Sequence, residues 1–421
     1  MSSILLKNGQ VFLPSGEVEL SDIYIVDSEI KKIGSALDQK EVDEVIDCKD
    51  KLIIPGFIDA HGHMAMTLFR SYGDDLNLMD WLNLKIWPAE AKLTGDDVYW
   101  GTMLAIAEMI KSGTTTAADM YFFMDDVVKA VDESGFRASL SRGMTSPEGL
   151  KQNEELFNNF HDSADGRITV MLGPHAIYTC SLEFLKETIA MAEKLNCPIH
   201  IHVSETTIEV ENCIKEHGKS PVEVLDSIGL FEVPTLAAHC VHVSDKDIQI
   251  MAGKNVKVAH NPGSNMKLAS GVAPVPKMLA ANMCVALATD GASSNNNLNM
   301  LHEIRLAALL HKVSSLDPLA VPARAALSMA TKSGAEALNL EKVGELKEGF
   351  RADITIFNTN DVHWCPKHDL RSLLVYAGNS SDVDTVIING KIVLNNKKLL
   401  TIDEERVIFE ANRRALKLTE K

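Results

Sequence analysis

Short apolar runs alternate with helical stretches through the middle of the chain, between residues 55 and 340. Eight such runs have the length of buried strands, and helical stretches with apolar residues three or four apart lie between them. Eight strand-plus-helix units predict a (β/α)8 TIM barrel. A doubly wound sheet is the structural alternative, but no glycine-rich phosphate turn follows the first run. The predicted strands are Phe57–Ala60, Thr115–Asp119, Ala138–Ser141, Thr169–Leu172, Ile199–Val203, Leu236–His239, Val256–Ala259 and Val285–Ala288.

The helices between these strands have recognisable ends. Thr94 followed by Asp97 three residues later predicts a capping box at the start of the first helix, and Gly113 is a plausible C-cap. The same reasoning predicts four further helices, at Ser181–Lys194, Ser244–Ala252, Met300–Lys312 and Pro322–Ala337.

Both ends of the chain are rich in strand signals instead. Asn8-Gly9 and Asn389-Gly390 are dipeptides typical of hairpin turns. Strand-like segments accompany them at Ser2–Leu6, Ile23–Val26, Asp353–Phe357, Val386–Ile388 and Ile392–Leu394. We therefore predict an α/β protein in which a barrel domain, residues 55–340, carries a small β-sandwich formed from both chain ends. Residues 1–54 supply its first part, and residues 341–421 supply its second part and a terminal helix.

Charge and composition exclude several classes of partner. With 41 basic and 58 acidic residues, the net charge is −17, so the net field will not hold the protein on nucleic acid or anionic lipid. Seven cysteines, odd in number and without a CxxC pair, argue against a disulfide framework or a thiolate zinc site. The first residues lack the pattern of a signal peptide, and no stretch approaches the roughly 18 apolar residues of a membrane span. We expect a cytoplasmic protein with neither a nucleic-acid nor a membrane partner.

Polar residues follow the predicted strands at the end where a barrel carries its active site. His61 and His63 lie two residues apart after the first strand and therefore point the same way. His202 follows the fifth strand, and Asp290 ends the eighth, where a buried carboxylate needs a partner such as a cation. Three imidazoles and one carboxylate suit Zn²⁺, and also Fe²⁺ or Ni²⁺. We predict one catalytic metal ion per chain, bound by His61, His63, His202 and Asp290.

Three neighbouring residues are predicted to lie close to the ion, and two interpretations stay open for one of them, His239. His239 ends the sixth strand, where it is either a hydrogen-bonded core histidine or a residue that faces the ion. Glu205 lies three residues after His202 and is placed to sit beside the ion without binding it. His200 shares the parity of His202 but lies deeper, which favours a supporting role. The segment 259–265 is interpreted as a structural turn, and its alternatives are a place behind the metal ligands or a piece of the pocket wall.

Taken together, these motifs resemble the amidohydrolase superfamily. PGFIDAHGH is similar to its first-strand metal motif, HIHVSET to its fifth-strand motif, ATDGASSNN to its eighth, and GELKEGFRADITIF to its return into the β module. Within the superfamily, the segments LNLKIWPAEAKLT, SRGM, LGPHAIYTCS, HVSETTIEVENC and HNPGSNMKLASG resemble the group of deaminases for 5-methylthioadenosine and S-adenosylhomocysteine. The resemblance covers essentially the whole chain.

This resemblance implies a zinc-dependent hydrolytic deaminase that acts on a small-molecule nucleoside and forms a homo-oligomer. It also implies a single metal, because no lysine stands at the end of the fourth strand, where the chain reads Leu172-Gly173-Pro174-His175. Asp290 and His239 are expected to orient a water molecule and accept its proton. Glu205 is expected to protonate N1 of the adenine ring.

Further substrate contacts follow from the same resemblance. Glu90 is expected to accept hydrogen bonds from the ribose hydroxyls, although a solvated charge before a helix is the alternative. Arg142 is placed to pair with the homocysteine carboxylate, and His175 to contact the purine or ribose. Glu205 and Asp290 complete the predicted substrate contacts. Four apolar residues are candidates either for a wall along the thioether or base or for ordinary packing: Met64, Met66, Trp81 and Trp87.

Other activities on the same fold are alternatives. A deaminase or chlorohydrolase of another amino-heterocycle, of the guanine or s-triazine type, would use the same metal chemistry. A metal-dependent peptidase or other amide hydrolase is also compatible with the fold. A non-catalytic scaffold is the alternative from a different class, but here every proposed ligand and proton carrier is present.

Overall fold

The structure is a computed structural model that describes residues 2–37, 41–76 and 78–420. Its strands are β1 (Ser3–Phe12), β2 (Val18–Val26), β3 (Glu29–Gly34), β4 (Glu44–Asp47), β5 (Lys51–Pro55), β6 (Phe57–Gly62), β7 (Thr114–Tyr121), β8 (Arg137–Met144), β9 (Ile168–Val170), β10 (Gly173–Pro174), β11 (Ile199–Val203), β12 (Thr235–His239), β13 (Lys257–His260), β14 (Val285–Leu287), β15 (Ile354–Asn358), β16 (Val383–Ile388), β17 (Lys391–Asn395) and β18 (Lys398–Leu399).

Helices follow most of the central strands. They are α1 (Leu78–Trp81), α2 (Trp87–Glu90), α3 (Gly95–Lys111), α4 (Met124–Ser134), α5 (Pro147–Phe160), α6 (Ser163–Gly166), α7 (Leu182–Leu195), α8 (Thr207–His217), α9 (Pro221–Ser227), α10 (Asp245–Gly253), α11 (Pro262–Lys267), α12 (Val275–Ala280), α13 (Met300–Ser315), α14 (Ala323–Met329), α15 (Lys332–Ala337), α16 (Leu370–Tyr376) and α17 (Glu404–Thr419). A π-helical stretch, Leu82–Ile86, joins α1 to α2. Short 3-10 helices lie at Met64–Phe69, Leu230–Glu232, Val362–Trp364 and Ser380–Asp382.

The central strands form two parallel sheets. One runs β10-β8-β7-β6, with β9 also paired to β8, and the other runs β11-β12-β13-β14. Backbone hydrogen bonds connect the two sheets on both sides: Leu172 N donates to Pro198 O at 2.9 Å, and Asp290 N donates to His61 O at 3.0 Å. A parallel strand overlaps each of the eight predicted positions. Every residue of β6, β7, β11 and β12 is buried, as expected of parallel strands covered on both faces.

The capping signals predict the start of α3 correctly, but its C-cap is one residue earlier than the predicted Gly113. The Thr94 hydroxyl accepts a hydrogen bond from Asp97 N, and the Asp97 carboxylate accepts one from Thr94 N, which confirms the predicted capping box at the start of α3. At the other end Ser112 is the C-cap, and Gly113 follows it with φ +92°, a left-handed conformation that glycine adopts readily.

One predicted helix, Pro322–Ala337, is wrong as a single element. The chain forms α14 and α15 instead, with a break at Thr331, whose φ of −134° and ψ of −93° are not helical. Ala330 O at this break accepts a hydrogen bond of 2.8 Å from Ile58 N in β6. The helix is therefore interrupted at the residue whose carbonyl oxygen accepts this hydrogen bond from β6. An apolar periodicity alone does not show such a contact.

The two ends of the chain meet in one nine-stranded sheet. Its order is β18-β17-β16-β15-β5-β1-β2-β3, with β4 paired to β1. The strand β5, from the N-terminal part, pairs antiparallel with β15, from the C-terminal part. The chain ends thus build one common sheet, as the strand signals indicated. The hydrogen-bonding order does not test the arrangement of this sheet as a two-layer sandwich, which stays a prediction.

The two Asn-Gly dipeptides have different outcomes. Asn389-Gly390 forms the turn between β16 and β17, as predicted. Asn8-Gly9 is not a hairpin turn, because β1 continues through it with a register shift between Leu6 and Gly9. Asn8 N donates a 2.8 Å hydrogen bond to Asp22 Oδ1. A Cβ at Gly9 would lie 2.3 Å from Ile53 Cδ1, so the glycine allows β1 to pack closely against β5.

A buried ion pair connects the terminal sheet to a central strand. Arg137, the first residue of β8, donates from Nε to Asp353 Oδ2 at 2.6 Å and from Nη2 to Asp353 Oδ1 at 3.2 Å. Both side chains are almost fully buried, at 3% and 1% exposure. The Asp353 carboxylate also accepts a 2.6 Å hydrogen bond from Asn389 N. This two-pronged pair fixes the relative position of β8 and the terminal sheet.

Two further sequence predictions concern the cysteines and possible membrane-spanning segments. All seven cysteines are free thiols, and five of them are buried. A search of the described residues finds no helix with the length and apolar character needed to traverse a lipid bilayer.

Candidate active site

The end of β6 carries the first two imidazoles of the site. His61 lies in β6, and His63 directly follows Gly62, its last residue. His61 Nδ1 lies 2.7 Å from His200 Nε2, and His63 Nδ1 lies 2.6 Å from the carbonyl oxygen of Met120. Both rings are therefore held at Nδ1, and Nε2 is the atom each presents to the site. The contact with His61 also agrees with the supporting role interpreted for His200.

Two more imidazoles come from the ends of β11 and β12. His202 Nδ1 lies 2.7 Å from the carbonyl oxygen of His175, and His239 Nδ1 lies 3.0 Å from Asn265 Oδ1. His239 has a left-handed backbone, with φ of +70°, at the point where the strand ends and the chain turns away. One ring nitrogen from each of His61, His202 and His239 lies within 4.8 Å of the others.

Asp290 follows β14 and faces the first two histidines. Its Oδ1 lies 3.5 Å from His61 Nε2 and 3.3 Å from His63 Nε2. Its Oδ2 accepts hydrogen bonds from the hydroxyls of Ser264, at 2.6 Å, and Ser294, at 2.9 Å. One carboxylate oxygen is thus fixed by serines, and the other points toward the histidines.

The donor set fits a divalent metal ion. His61 Nε2 is a buried polar atom without a hydrogen-bond partner, an arrangement that costs free energy unless a ligand satisfies it. Burial lowers the pKa of His61 to about 3 and that of His202 well below its ordinary value, so these rings are neutral and present a lone pair. Burial opposes ionisation of Asp290, but the adjoining His61 and His63 outweigh it and hold its pKa well below the ordinary value. Neutral imidazoles beside an ionised carboxylate are the ligands that Zn²⁺ prefers.

All predicted metal ligands meet at one place, and His239 joins them. The structure groups His61, His63 and Asp290 on one side and His61, His202 and His239 on the other. His239 was predicted to orient a water molecule, and its ring nitrogen lies close enough to be a fifth candidate ligand. The division of these five residues between metal ligand and proton carrier stays a prediction.

Glu205 is the carboxyl group beside this cluster. It is buried, and its Oε2 lies 3.9 Å from His239 Nε2. Glu209, one turn later, accepts hydrogen bonds from the backbone NH groups of Ser204 and Glu205 at 2.9 and 2.7 Å, and so fixes the turn that carries Glu205. Burial raises the pKa of Glu205, which favours the protonated form needed by a general acid near neutral pH.

A cavity of ≈ 250 Å³ opens over these groups. His63, His202, His239, Glu205 and Asp290 form one part of its lining. Glu90, Tyr121 and His175 also line this cavity, so four of the five predicted substrate contacts reach it, all except Arg142. The hydroxyl of Tyr121 donates a 2.7 Å hydrogen bond to Glu90 Oε1, and His175 Nδ1 lies 2.9 Å from Thr179 Oγ1.

The remaining candidates have mixed positions. Trp81, Trp87 and Met66 line the cavity, as predicted for an apolar wall. Met64 is not among the lining residues, because its buried backbone NH bonds Asp119 Oδ1 and its side chain packs in the core. Arg142 also lies outside the lining, although its neighbour Gly143 belongs to it.

Several supporting residues were missing from the prediction. Tyr121, Ser264, Ser294, Asn265 and Glu209 each hold a predicted site residue through a hydrogen bond. For Ser264 and Asn265 a signal existed, since they end the polar run HNPGSN after the seventh strand. Its favoured interpretation, a structural turn, is incomplete, because these residues lie directly behind Asp290 and His239. Tyr121 reads as an ordinary aromatic residue of a buried strand, so its role depends on a contact that sequence does not reveal.

Comparison with known proteins places this site in a family. The profile of the Amidohydrolase family matches residues 52–393. The chain is 51% identical over 425 residues to the 5-methylthioadenosine/S-adenosylhomocysteine deaminase of Carboxydothermus hydrogenoformans, covering 99% of this chain and 98% of the relative. For the protein of the same name from Dictyoglomus turgidum, the identity is 50% over 423 residues, or 99% of each chain. An adenosine deaminase from Xanthomonas campestris, solved with bound zinc, superposes with a TM-score of 0.95 at 31% identity, covering 99% of this chain and 98% of that chain. The family profile extends from β5 to β17 and therefore includes all five candidate metal ligands: His61, His63, His202, His239 and Asp290. This chain belongs to the amidohydrolase family.

Proposed function

We propose that this chain is a hydrolase of carbon–nitrogen bonds that deaminates 5-methylthioadenosine, S-adenosylhomocysteine or both, releasing ammonia and the inosine analogue. The observation that carries the proposal is the position of Glu205 and Asp290. These two carboxyl groups line the same cavity beside four imidazoles; burial raises the pKa of Glu205, whereas the adjoining His61 and His63 outweigh burial and lower the pKa of Asp290. Relatives that share about 50% sequence identity with this chain over nearly its full length are named for this activity.

We also propose the domain arrangement predicted from sequence. The two parallel sheets together form a (β/α)8 barrel, residues 55–340, with the catalytic groups at the carboxyl ends of its strands. Residues 1–54 and 341–421 form a β-sandwich module and a terminal helix. The backbone hydrogen bonds between the sheets on both sides support a closed barrel. A cytoplasmic location and a homo-oligomeric state stay predictions.

One Zn²⁺ per chain would be held by His61, His63, His202 and Asp290, with Fe²⁺ or Ni²⁺ as other metals that suit this donor set. When bound, such an ion supplies Lewis acidity that makes water a nucleophile near neutral pH. The Nδ1 contacts of the imidazoles leave their Nε2 atoms available to hold such an ion. The two serine hydroxyls fix Asp290 Oδ2, so Oδ1 would be the oxygen left for the ion.

The chain's own residues move the protons of the reaction. Asp290, assisted by His239, accepts a proton from the water that attacks C6 of the adenine ring. Glu205 donates its proton to N1, which lets the ring accept the electron pair displaced by the attack. Asp290 then returns a proton to the amino group at C6. The C6–N bond breaks and ammonia leaves. The remaining hydroxyl proton on the C6 oxygen passes to the Glu205 carboxylate, so the product carries C6=O and N1–H, and both carboxyl groups return to their starting states.

Glu90 and His175 are proposed to position the nucleoside. The Glu90 carboxylate lines the cavity and is suited to accept hydrogen bonds from the 2′ and 3′ hydroxyls of ribose. His175 is proposed to contact either the purine or the ribose. Such positioning groups act by holding C6 of the ring against the attacking water.

Ammonia release from separate substrates tests the function. Metal-replete protein is incubated with 5-methylthioadenosine, S-adenosylhomocysteine, adenosine or guanine. We expect release from at least one thionucleoside, its loss in His202→Ala, and its retention in His368→Ala, which removes an exposed histidine. Release from guanine alone would favour the alternative of another amino-heterocycle. No release from any adenine nucleoside, despite a bound metal, would overturn the proposal.

A further inference from the structure

We infer that the cavity selects nucleosides with a neutral, apolar 5′-thioether tail and discriminates against the charged homocysteine tail. This inference rests on the proposed function and narrows it to a substrate class. The base is expected beside Glu205 and Asp290, and the ribose beside Glu90. The 5′ substituent then faces what remains of the lining, and the composition of that remainder decides which tail fits.

Among the described residues, the remaining wall is mainly apolar and carries no cationic side chain, and its polar groups are the hydroxyls of Thr145, Tyr178, Thr179 and Ser294. It comes largely from one continuous segment, α1, the π-helical stretch and α2, which also carries Glu90 at its end. Five side chains of this segment and one from the loop after β7 face the cavity: Leu78, Trp81, Leu82, Ile86, Trp87 and Phe122. A methylthio or longer alkylthio group removes apolar area from water against such a wall. Each added methylene in contact with it is expected to strengthen binding about fourfold.

A homocysteine tail would need different partners. It carries a carboxylate and an ammonium group, and a charged group that loses water without a partner is costly to bury. Among the described residues that line the cavity there is neither a lysine nor an arginine. Lys151, a lysine close to Arg142 in the sequence, is exposed on α5 and is not part of the lining.

Arg142, the first candidate for the carboxylate, already has partners outside the cavity. Its Nε donates to Gln152 Oε1, and its Nη1 donates to the carbonyl oxygen of Gly143 at 2.7 Å. Its guanidinium carbon lies 5.6 Å from the centroid of the Phe122 ring. Phe122 lines the cavity and Arg142 does not, so the aromatic ring is the member of this pair that faces the cavity. A homocysteine carboxylate would have to compete with these contacts for the Arg142 guanidinium.

The first test compares kcat/KM across a series of tails. The substrates are 5-methylthioadenosine, 5′-butylthio-5′-deoxyadenosine, adenosine and S-adenosylhomocysteine. We expect both alkylthio nucleosides to exceed S-adenosylhomocysteine by at least about 10-fold. Equal or higher kcat/KM for S-adenosylhomocysteine would overturn this inference and leave the proposed deaminase function standing. Failure of every adenine nucleoside would instead remove the proposed function itself.

Two variants test the residues behind this selectivity. Arg142→Met should leave the ratio of kcat/KM for S-adenosylhomocysteine and 5-methylthioadenosine unchanged within about twofold, whereas a carboxylate-binding arginine would lower it by about 100-fold or more. Trp87→Arg places a cation in the apolar wall and should raise the same ratio about 10-fold. Leu84→Arg is the matched control, because Leu84 lies in the same segment but is 65% exposed and outside the lining. A selective loss of S-adenosylhomocysteine turnover in Arg142→Met contradicts the inference.

Discussion

The hydroxyl of Tyr121 donates a 2.7 Å hydrogen bond to Oε1 of Glu90, and both side chains line the cavity. Tyr121 is the last residue of β7, and Glu90 is the last residue of α2. The bond therefore ties the segment that covers the cavity to a central strand. It also leaves Glu90 Oε2 as the oxygen available to a ligand, with its direction fixed by a buried partner.

Removal of this tyrosine hydroxyl should weaken substrate binding more than catalysis. In Tyr121→Phe the Glu90 carboxylate loses a hydrogen bond, so we expect KM for nucleosides to rise about 10-fold with kcat nearly unchanged. Steady-state kinetics with 5-methylthioadenosine measures both constants. Tyr99→Phe is the matched control, since the Tyr99 hydroxyl bonds Glu133 on the exposed surface. A fall in kcat at constant KM would contradict a positioning role for Tyr121.

The serine contacts of Asp290 should matter for metal affinity. In Ser264→Ala the carboxylate loses a 2.6 Å hydrogen bond, and loss of a group that orients a metal ligand typically weakens metal binding about 10- to 100-fold. Competition with a chelator of known affinity measures this directly. Ser293→Ala serves for comparison, because Ser293 Oγ contacts the sulfur of Met66 rather than Asp290. Equal metal affinity in the two variants would show that the serine does not orient Asp290 for metal binding.

Replacement of only one partner of the buried ion pair between Arg137 and Asp353 should strongly lower the free energy of unfolding. Arg137→Met leaves an uncompensated carboxylate in the interior and is expected to lower the free energy of unfolding by about 3–5 kcal/mol. The double variant Arg137→Met, Asp353→Leu should recover part of this loss, because it removes the stranded charge as well. Urea titration measures each value. Arg413→Met, at an exposed pair with Glu410, should change stability by less than about 1 kcal/mol. Additive losses in the double variant would contradict direct coupling.

A buried histidine pair predicts a loss of stability in mild acid. His311 Nε2 lies 3.0 Å from His260 Nε2, and burial lowers the pKa of His311 from 6.5 to about 4. The fold therefore favours neutral His311, whereas the unfolded chain takes up a proton below its pKa of 6.5. This contribution to stability is complete above pH 6.5 and is lost as the pH falls from 6.5 toward 4, by up to about 3 kcal/mol.

The free energy of unfolding of the wild type, measured from pH 7.5 to 4.5, should accordingly fall more steeply than that of His311→Gln. His368→Gln, at an exposed position, should retain the slope of the wild type. Parallel curves for the wild type and His311→Gln would show that His311 does not carry the effect.

Regular patterns made the central part of the chain predictable. Buried parallel strands leave long apolar runs, and the polar residue at the end of each run stands out, as His202 and Asp290 do. The two-residue spacing of His61 and His63 was enough to place both rings on one side. These inferences need only the geometry of one strand and the rule that parallel strands present their carboxyl ends together.

Contacts between distant segments were not predictable in the same way. The dipeptides at Asn8 and Asn389 are identical, yet only the second forms a hairpin turn, because the first packs against Ile53 and bonds Asp22. The break at Thr331 likewise depends on β6, more than 250 residues earlier in the chain. Each outcome is decided by a partner whose position is known only once the whole fold is known.

The common sheet of the two chain ends has a consequence for synthesis. Ile54 in β5 pairs with Thr355 in β15, so β5 leaves the ribosome roughly 300 residues before its neighbour exists, a delay of about 15–60 seconds at ordinary elongation rates. During that interval, one edge of β5 presents unsatisfied backbone groups to other nascent chains, and such an edge invites intermolecular pairing. The C-terminal strands thus end a period of aggregation risk that the topology itself creates, and a chain released before β15 would retain that open edge permanently.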